Sequence, residues 1–104
     1  MNKKIKKIVE ELKHNISLKH NLHEMRLFGS AGRGDNTKES DIDIFVRLSE
    51  VNRKIEEELF DTAYDFELKY GYTIDLFVFD DTINEGINAH IPVYQNILKE
   101  GILI

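Results

Sequence analysis

Apolar residues recur at Ile5, Ile8, Val9, Leu12 and Ile16, with lysines filling the remaining face. This three-and-four spacing predicts an amphipathic helix from residue 2 to about residue 20. The period then changes. Met25-Arg26-Leu27-Phe28 and Ile42-Asp43-Ile44-Phe45-Val46 alternate as short strands do. From Ser49 to Tyr70 helical spacing returns through Val51, Ile55, Leu59, Ala63 and Phe66, and Gly71 supplies a C-terminal stop. Tyr72 to Phe79 is the most apolar stretch and predicts a third strand, with Asp80 and Asp81 as turn and helix-cap residues. Pro92, the only proline, is placed to open a helix that runs through Lys99 and stops at Gly101. The apolar Ile102-Leu103-Ile104 that follows either completes the sheet or is covered by a partner. The order of these elements predicts one α/β domain over residues 1–104, a short mixed sheet flanked by helices.

A chain of 104 residues can bury about 65% of its unfolded surface. With 41% hydrophobic residues and no low-complexity run, it is expected to fold without disordered arms, linkers or repeats. A net charge of −5 argues against nonspecific nucleic-acid binding, which draws its affinity from phosphate neutralisation. No apolar run approaches membrane-spanning length and the lysine-rich start lacks the apolar segment of a signal peptide, so the cytoplasm is the expected compartment. The absence of cysteine removes disulfides, thiolate chemistry and cysteine-based zinc sites. His14, His20 and His23 fall into no zinc spacing and are expected at the surface or at strand edges. Lys3, Lys4, Lys6, Lys7 and Glu56 to Glu58 read as solvated helix faces.

The candidate chemistry lies between Gly29 and Asp43. Gly29-Ser30-Ala31-Gly32-Arg33-Gly34 lets backbone amides approach an anion, and Asp41 and Asp43 then share one face of a strand while Ile42 and Ile44 enter the core from the other. Two such anions about 7 Å apart repel by roughly 2–3 kcal/mol at an effective dielectric of about 20. A cation offsets that repulsion, and oxygen-only ligands beside phosphate point to Mg²⁺ or Mn²⁺ rather than zinc. Common alternatives fail on particular residues. Asp35 and Asn36 stand where a P-loop needs Lys and Ser/Thr, Thr37 occupies the third glycine of a dinucleotide fingerprint, and Ser40 and Val46 replace the glycine and glutamate of a calcium loop. Asp75 sits inside the apolar third strand, so it must meet a cation or lie at the sheet's edge.

Leu27-Phe28-Gly29-Ser30, Arg33-Gly34 and Ser40-Asp41-Ile42-Asp43 together resemble the signature of the DNA polymerase beta-like nucleotidyltransferases. Within that superfamily the chain is most similar to the minimal nucleotidyltransferases, the MNT antitoxins paired with HEPN toxins, over nearly its whole length. The resemblance implies a polymerase beta-like fold and transfer of AMP from ATP to a hydroxyl, expected to be a tyrosine of the HEPN toxin. Asp41 and Asp43 would bridge two Mg²⁺ ions, and Asp75 matches the third carboxylate. Gly29 amides and the Ser30 hydroxyl would cradle phosphate. Arg33 would neutralise triphosphate or the leaving pyrophosphate, or else face solvent from its loop. Ser40 would order the strand entry or a metal-bound water. The chain has no room for the acceptor-binding domain of larger relatives, so the acceptor is expected on a partner. A non-catalytic antitoxin that acts by contact and a small-molecule transferase of the aminoglycoside type remain the other two readings.

Overall fold

The computed structural model describes residues 3–29 and 41–104. In chain order they form helix α1 (Lys3–Lys19), strands β1 (Leu22–Phe28) and β2 (Ile42–Leu48), helix α2 (Arg53–Tyr70) and strand β3 (Ile74–Asp80). Two short 3-10 turns, Asp81–Asn84 and Gly86–His90, lead into helix α3 (Pro92–Glu100) and strand β4 (Ile102–Leu103).

Each boundary has a local cause. β1 starts three residues before the expected Met25, because the pairing shifts register between Leu22 and Glu24 and hides the alternation there. α2 starts four residues after the expected Ser49. Asn52 is its N-cap, with a side chain that accepts the Ile55 N–H at 2.9 Å. At the other end Gly71 adopts φ 76°, the left-handed conformation that a C-terminal cap requires, and donates to the Glu67 carbonyl. Pro92 opens α3, where its missing N–H costs no helical bond.

The sheet order is β3-β2-β1-β4. β1 runs antiparallel to β2 and β4, while β2 and β3 are parallel, so the sheet is mixed. Of the two alternatives for the apolar terminus, sheet completion is the one found: Ile104 N–H donates to the Met25 carbonyl at 2.9 Å, and Lys13 Nζ donates to the Ile104 carbonyl at 2.7 Å. Leu103 nevertheless remains exposed.

Alternation along the strands gives the sheet two different faces. Met25, Leu27, Ile42, Ile44, Val46, Leu48 and Ile74 join Ile5, Ile8, Leu12 and Ile16 of α1 and Leu59, Ala63 and Phe66 of α2 in the main core. Burying each large aliphatic side chain there contributes about 1.5–3 kcal/mol. On the opposite face Phe45 packs with Ile83 and with Tyr94 and Ile97 of α3, flanked by Phe28 and Phe79. α3 thus covers the middle of that face, and Asp43 and Asp75 lie on it toward the starts of β2 and β3.

Candidate active site

β2 is the strand that assembles the site. Its Asp43 lies opposite Phe28 of β1 on one side and opposite Asp75 of β3 on the other. Because β2 and β3 are parallel and in register, the two carboxylates share one face on neighbouring strands. The Ile42 N–H donates to the Thr73 carbonyl at 2.8 Å and locks this register at the strand entry. Asp41 is exposed one residue before β2. β3 is an edge strand and Asp75 is exposed, which meets the condition set by its apolar sequence surroundings.

The electrostatics follow from that packing. Partial burial first, then the charges of Asp75 and Asp41, push the Asp43 carboxyl above the usual aspartate range. Burial, followed by the charge of Asp41, pushes Asp75 the same way. Asp43 and Asp75, both raised by the nearby charge of Asp41, offer with it an all-oxygen donor set whose charges a hard divalent cation would relieve, so the residues fit Mg²⁺ or Mn²⁺. Among the described residues no three His, Asp or Glu side chains are already gathered as a metal cage.

Gly29 has a role that spacing alone did not reveal. It adopts φ 71°, and a Cβ placed there would stand 2.5 Å from Asp43 Oδ2. Glycine is therefore required twice, for backbone conformation and for the room it leaves the carboxylate. The other expected phosphate-side residues, Ser30, Arg33 and Ser40, lie outside the described residues.

Beyond the carboxylates the same face is aromatic. The Phe28 and Phe77 rings meet edge to face across β2 with centroids 5.1 Å apart. At the far end, a charged network went unnoticed in the sequence. Arg26 Nε donates to Glu24 Oε2 at 2.5 Å, Arg47 donates to Glu24 at 3.2 Å and to Asp81, and His23 Nδ1 lies 2.9 Å from Asp81. Burial opposes ionisation of Glu24, but the hydrogen bonds from Arg26 and Arg47 prevail and hold it below the usual carboxylate range. Asp81, bonded to His23 and Arg47, is likewise lowered. Asp80 alone serves as the expected cap, accepting the Thr82 N–H at 2.9 Å. His20 also departs from expectation: its ring is largely covered and lies 3.3 Å from Glu58, which is therefore not simply solvated.

A cavity of about 350 Å³ is lined by Val51, Val78, Phe79, Asp80 and Ile91 and lies at the opposite end of β3 from Asp75. Among the described residues no helix is long and apolar enough to cross a membrane.

The carboxylate pair on adjacent strands, with Gly29 against one of them, thus lies on a mixed sheet backed by helices. The family profile described as "Nucleotidyltransferase domain" matches residues 3–104, and the chain belongs to that family. A Methanocaldococcus jannaschii protein provisionally named protein adenylyltransferase MJ0141 is 35% identical over 90 residues, 84% of this chain and 91% of its own. The fold is shared with a toxin–antitoxin crystallised with AMP-PNP, at TM-score 0.66 and 20% identity over 93% of this chain and 69% of that one. It is shared also with a tri-AMPylated Shewanella oneidensis HEPN toxin in complex with MNT antitoxin, at TM-score 0.53 and 20% identity over 96% of this chain and 65% of that one. The expected likeness to the minimal nucleotidyltransferases is borne out by these relatives.

Proposed function

We propose that this chain transfers AMP from ATP to a tyrosine hydroxyl of a HEPN-type toxin and thereby acts as its antitoxin in the cytoplasm. The observation that carries the reading is the in-register placement of Asp43 beside Asp75, with Asp41 adjoining, on the sheet face opposite the main core. A contact-only antitoxin has no need of a placement in which the charge of Asp41 raises the pKa of both Asp43 and Asp75 at a cost in stability. The relative named for protein adenylylation and the AMPylated neighbour support a protein acceptor over a small molecule.

In this reading Asp41 and Asp43 would hold two Mg²⁺ ions, or Mn²⁺, and Asp75 would complete the set. Bound divalent ions would polarise the α-phosphate and neutralise the departing pyrophosphate. The Gly29 amide, Ser30 and Arg33 hold the triphosphate, and Ser40 orders the approach to the carboxylates. The acceptor oxygen forms a bond to the α-phosphorus as the bond to the β-phosphate bridging oxygen breaks, and pyrophosphate leaves. Asp75, made more basic by its surroundings, accepts the hydroxyl proton.

Mass spectrometry of a co-expressed toxin tests this. An AMP adduct on tyrosine is expected, and it should vanish when Asp41 and Asp43 are both replaced by Asn. A toxin neutralised without any adduct would establish the contact mechanism instead. Calorimetry supplies a second check: Mg²⁺ alone should raise the melting temperature slightly, and Mg²⁺ with ATP strongly, because each completes the other's coordination. Equal shifts from ATP with and without Mg²⁺ would count against metal-dependent binding.

A further inference from the structure

Phe77 follows Asp75 by two residues and lies on the same face of β3. Its ring meets Phe28, the residue in register with Asp43, so the two rings span β2 between the carboxylates and the fully buried Phe45. Under α3, Phe45 packs against Phe79 and Tyr94, with centroids 5.7 Å and 5.9 Å away respectively. The Phe28–Phe77 pair is the next row out, and both rings keep part of their surface exposed. It forms the border between the covered aromatic core and the reaction face.

Provided AMP transfer occurs at Asp43 and Asp75 as proposed, we infer that Phe77, buttressed by Phe28, is the wall against which the acceptor's aromatic ring seats. This wall selects tyrosine over serine or threonine. Two observations assign it to the acceptor rather than to the nucleotide. Gly29, the phosphate-side residue of the proposal, leaves the end of β1, whereas Phe77 and Asp75 lie on β3, the edge strand on the other side of β2. Same-face neighbours on a strand are also about 6.6–6.8 Å apart, close to the length of a phenol ring with its hydroxyl. A tyrosine ring packed on Phe77 thus brings its oxygen to Asp75. A serine or threonine side chain leaves the ring surface uncovered.

The test compares AMP transfer to the co-purified toxin and to toxin variants in which the acceptor tyrosine is replaced by serine or threonine. Wild type, Phe77→Leu and Phe79→Leu are assayed, the last because it loses a ring from the same strand and face beneath α3. Phe77→Leu should lose about three- to tenfold in transfer to tyrosine, the scale of one aromatic pair. The loss should appear in KM, with the low serine and threonine rates unchanged. Phe79→Leu should keep the wild-type ratio of tyrosine to serine transfer even if its melting temperature falls. An unchanged ratio in Phe77→Leu, or a weakened ATP affinity with the ratio intact, overturns the acceptor wall while leaving adenylylation standing. Absence of transfer by wild type to any of the acceptors overturns both.

Discussion

At Asp43 the demands of chemistry and of folding oppose each other. Its carboxyl is raised by burial and by Asp75 and Asp41, so its folded pKa exceeds its unfolded one. Such a group favours the fold below the ordinary aspartate value and loses that contribution as pH rises through the raised value. Asp43→Asn should therefore raise the melting temperature by a few degrees at pH 7, with the gain shrinking as pH falls through the raised value and gone below the ordinary aspartate range. Transfer should fall by about a hundredfold or more if Asp43 supplies a metal-binding oxygen as proposed. Calorimetry across pH, paired with adduct formation, checks both, and retention of activity within about tenfold would contradict the ligand role. Gly29→Ala places a methyl group against Asp43 Oδ2 and forces a positive φ on alanine. It should cost about 1–2 kcal/mol in denaturant unfolding and lower transfer as well. The carboxylates were legible in the sequence because alternation decides which side of a strand a residue occupies. The tight fit of Gly29 against Asp43 was not, since it depends on how closely β1 approaches β2.

The elements themselves were legible where a period persists. Ile5 through Ile16 and Leu59 through Phe66 repeat the helical spacing often enough to predict α1 and α2, and both bury those residues. Their ends depend on single capping residues, which periodicity does not weigh. Ser49 to Val51 lie outside α2 because the Asn52 side chain, rather than any apolar spacing, starts it. Asn52→Ala should cost about 1 kcal/mol, measured by urea unfolding, and leave transfer within about twofold of wild type. A large loss of activity would mean that α2 influences the opposite face of the sheet. The Glu24, Arg26 and Arg47 network could have been anticipated from alternation once Glu24 was included in β1. The contribution of Asp81 and His23 to it required the fold.

The molecule as a whole is one sheet with an apolar face closed by α1 and α2 and a second face divided between α3 and the carboxylates. Its far end is held by Arg47, which joins Glu24 to Asp81. Both acids have lowered pKa values, so their contribution is present above the ordinary carboxylate range and is lost as pH falls through the folded values. Arg47→Leu should lower the melting temperature by several degrees at pH 7, and the deficit should narrow in acid. A deficit independent of pH would mean that Arg47 contributes through packing alone. The parallel pairing of β2 with β3 also bears on the speed of folding. It is a non-local contact, closed only after α2 has been looped out between the strands, and such contacts form slowly. Closing it brings Asp43 against Asp75, so the charges of this carboxylate pair oppose the step that completes the sheet. Asp75→Asn should therefore refold faster than wild type in stopped-flow experiments at neutral pH while unfolding at nearly the same rate. An accelerated refolding limb would identify this strand pairing as part of the folding nucleus, and would mean that the chain reaches its native state against the repulsion of the very carboxylates proposed to hold its metal ions.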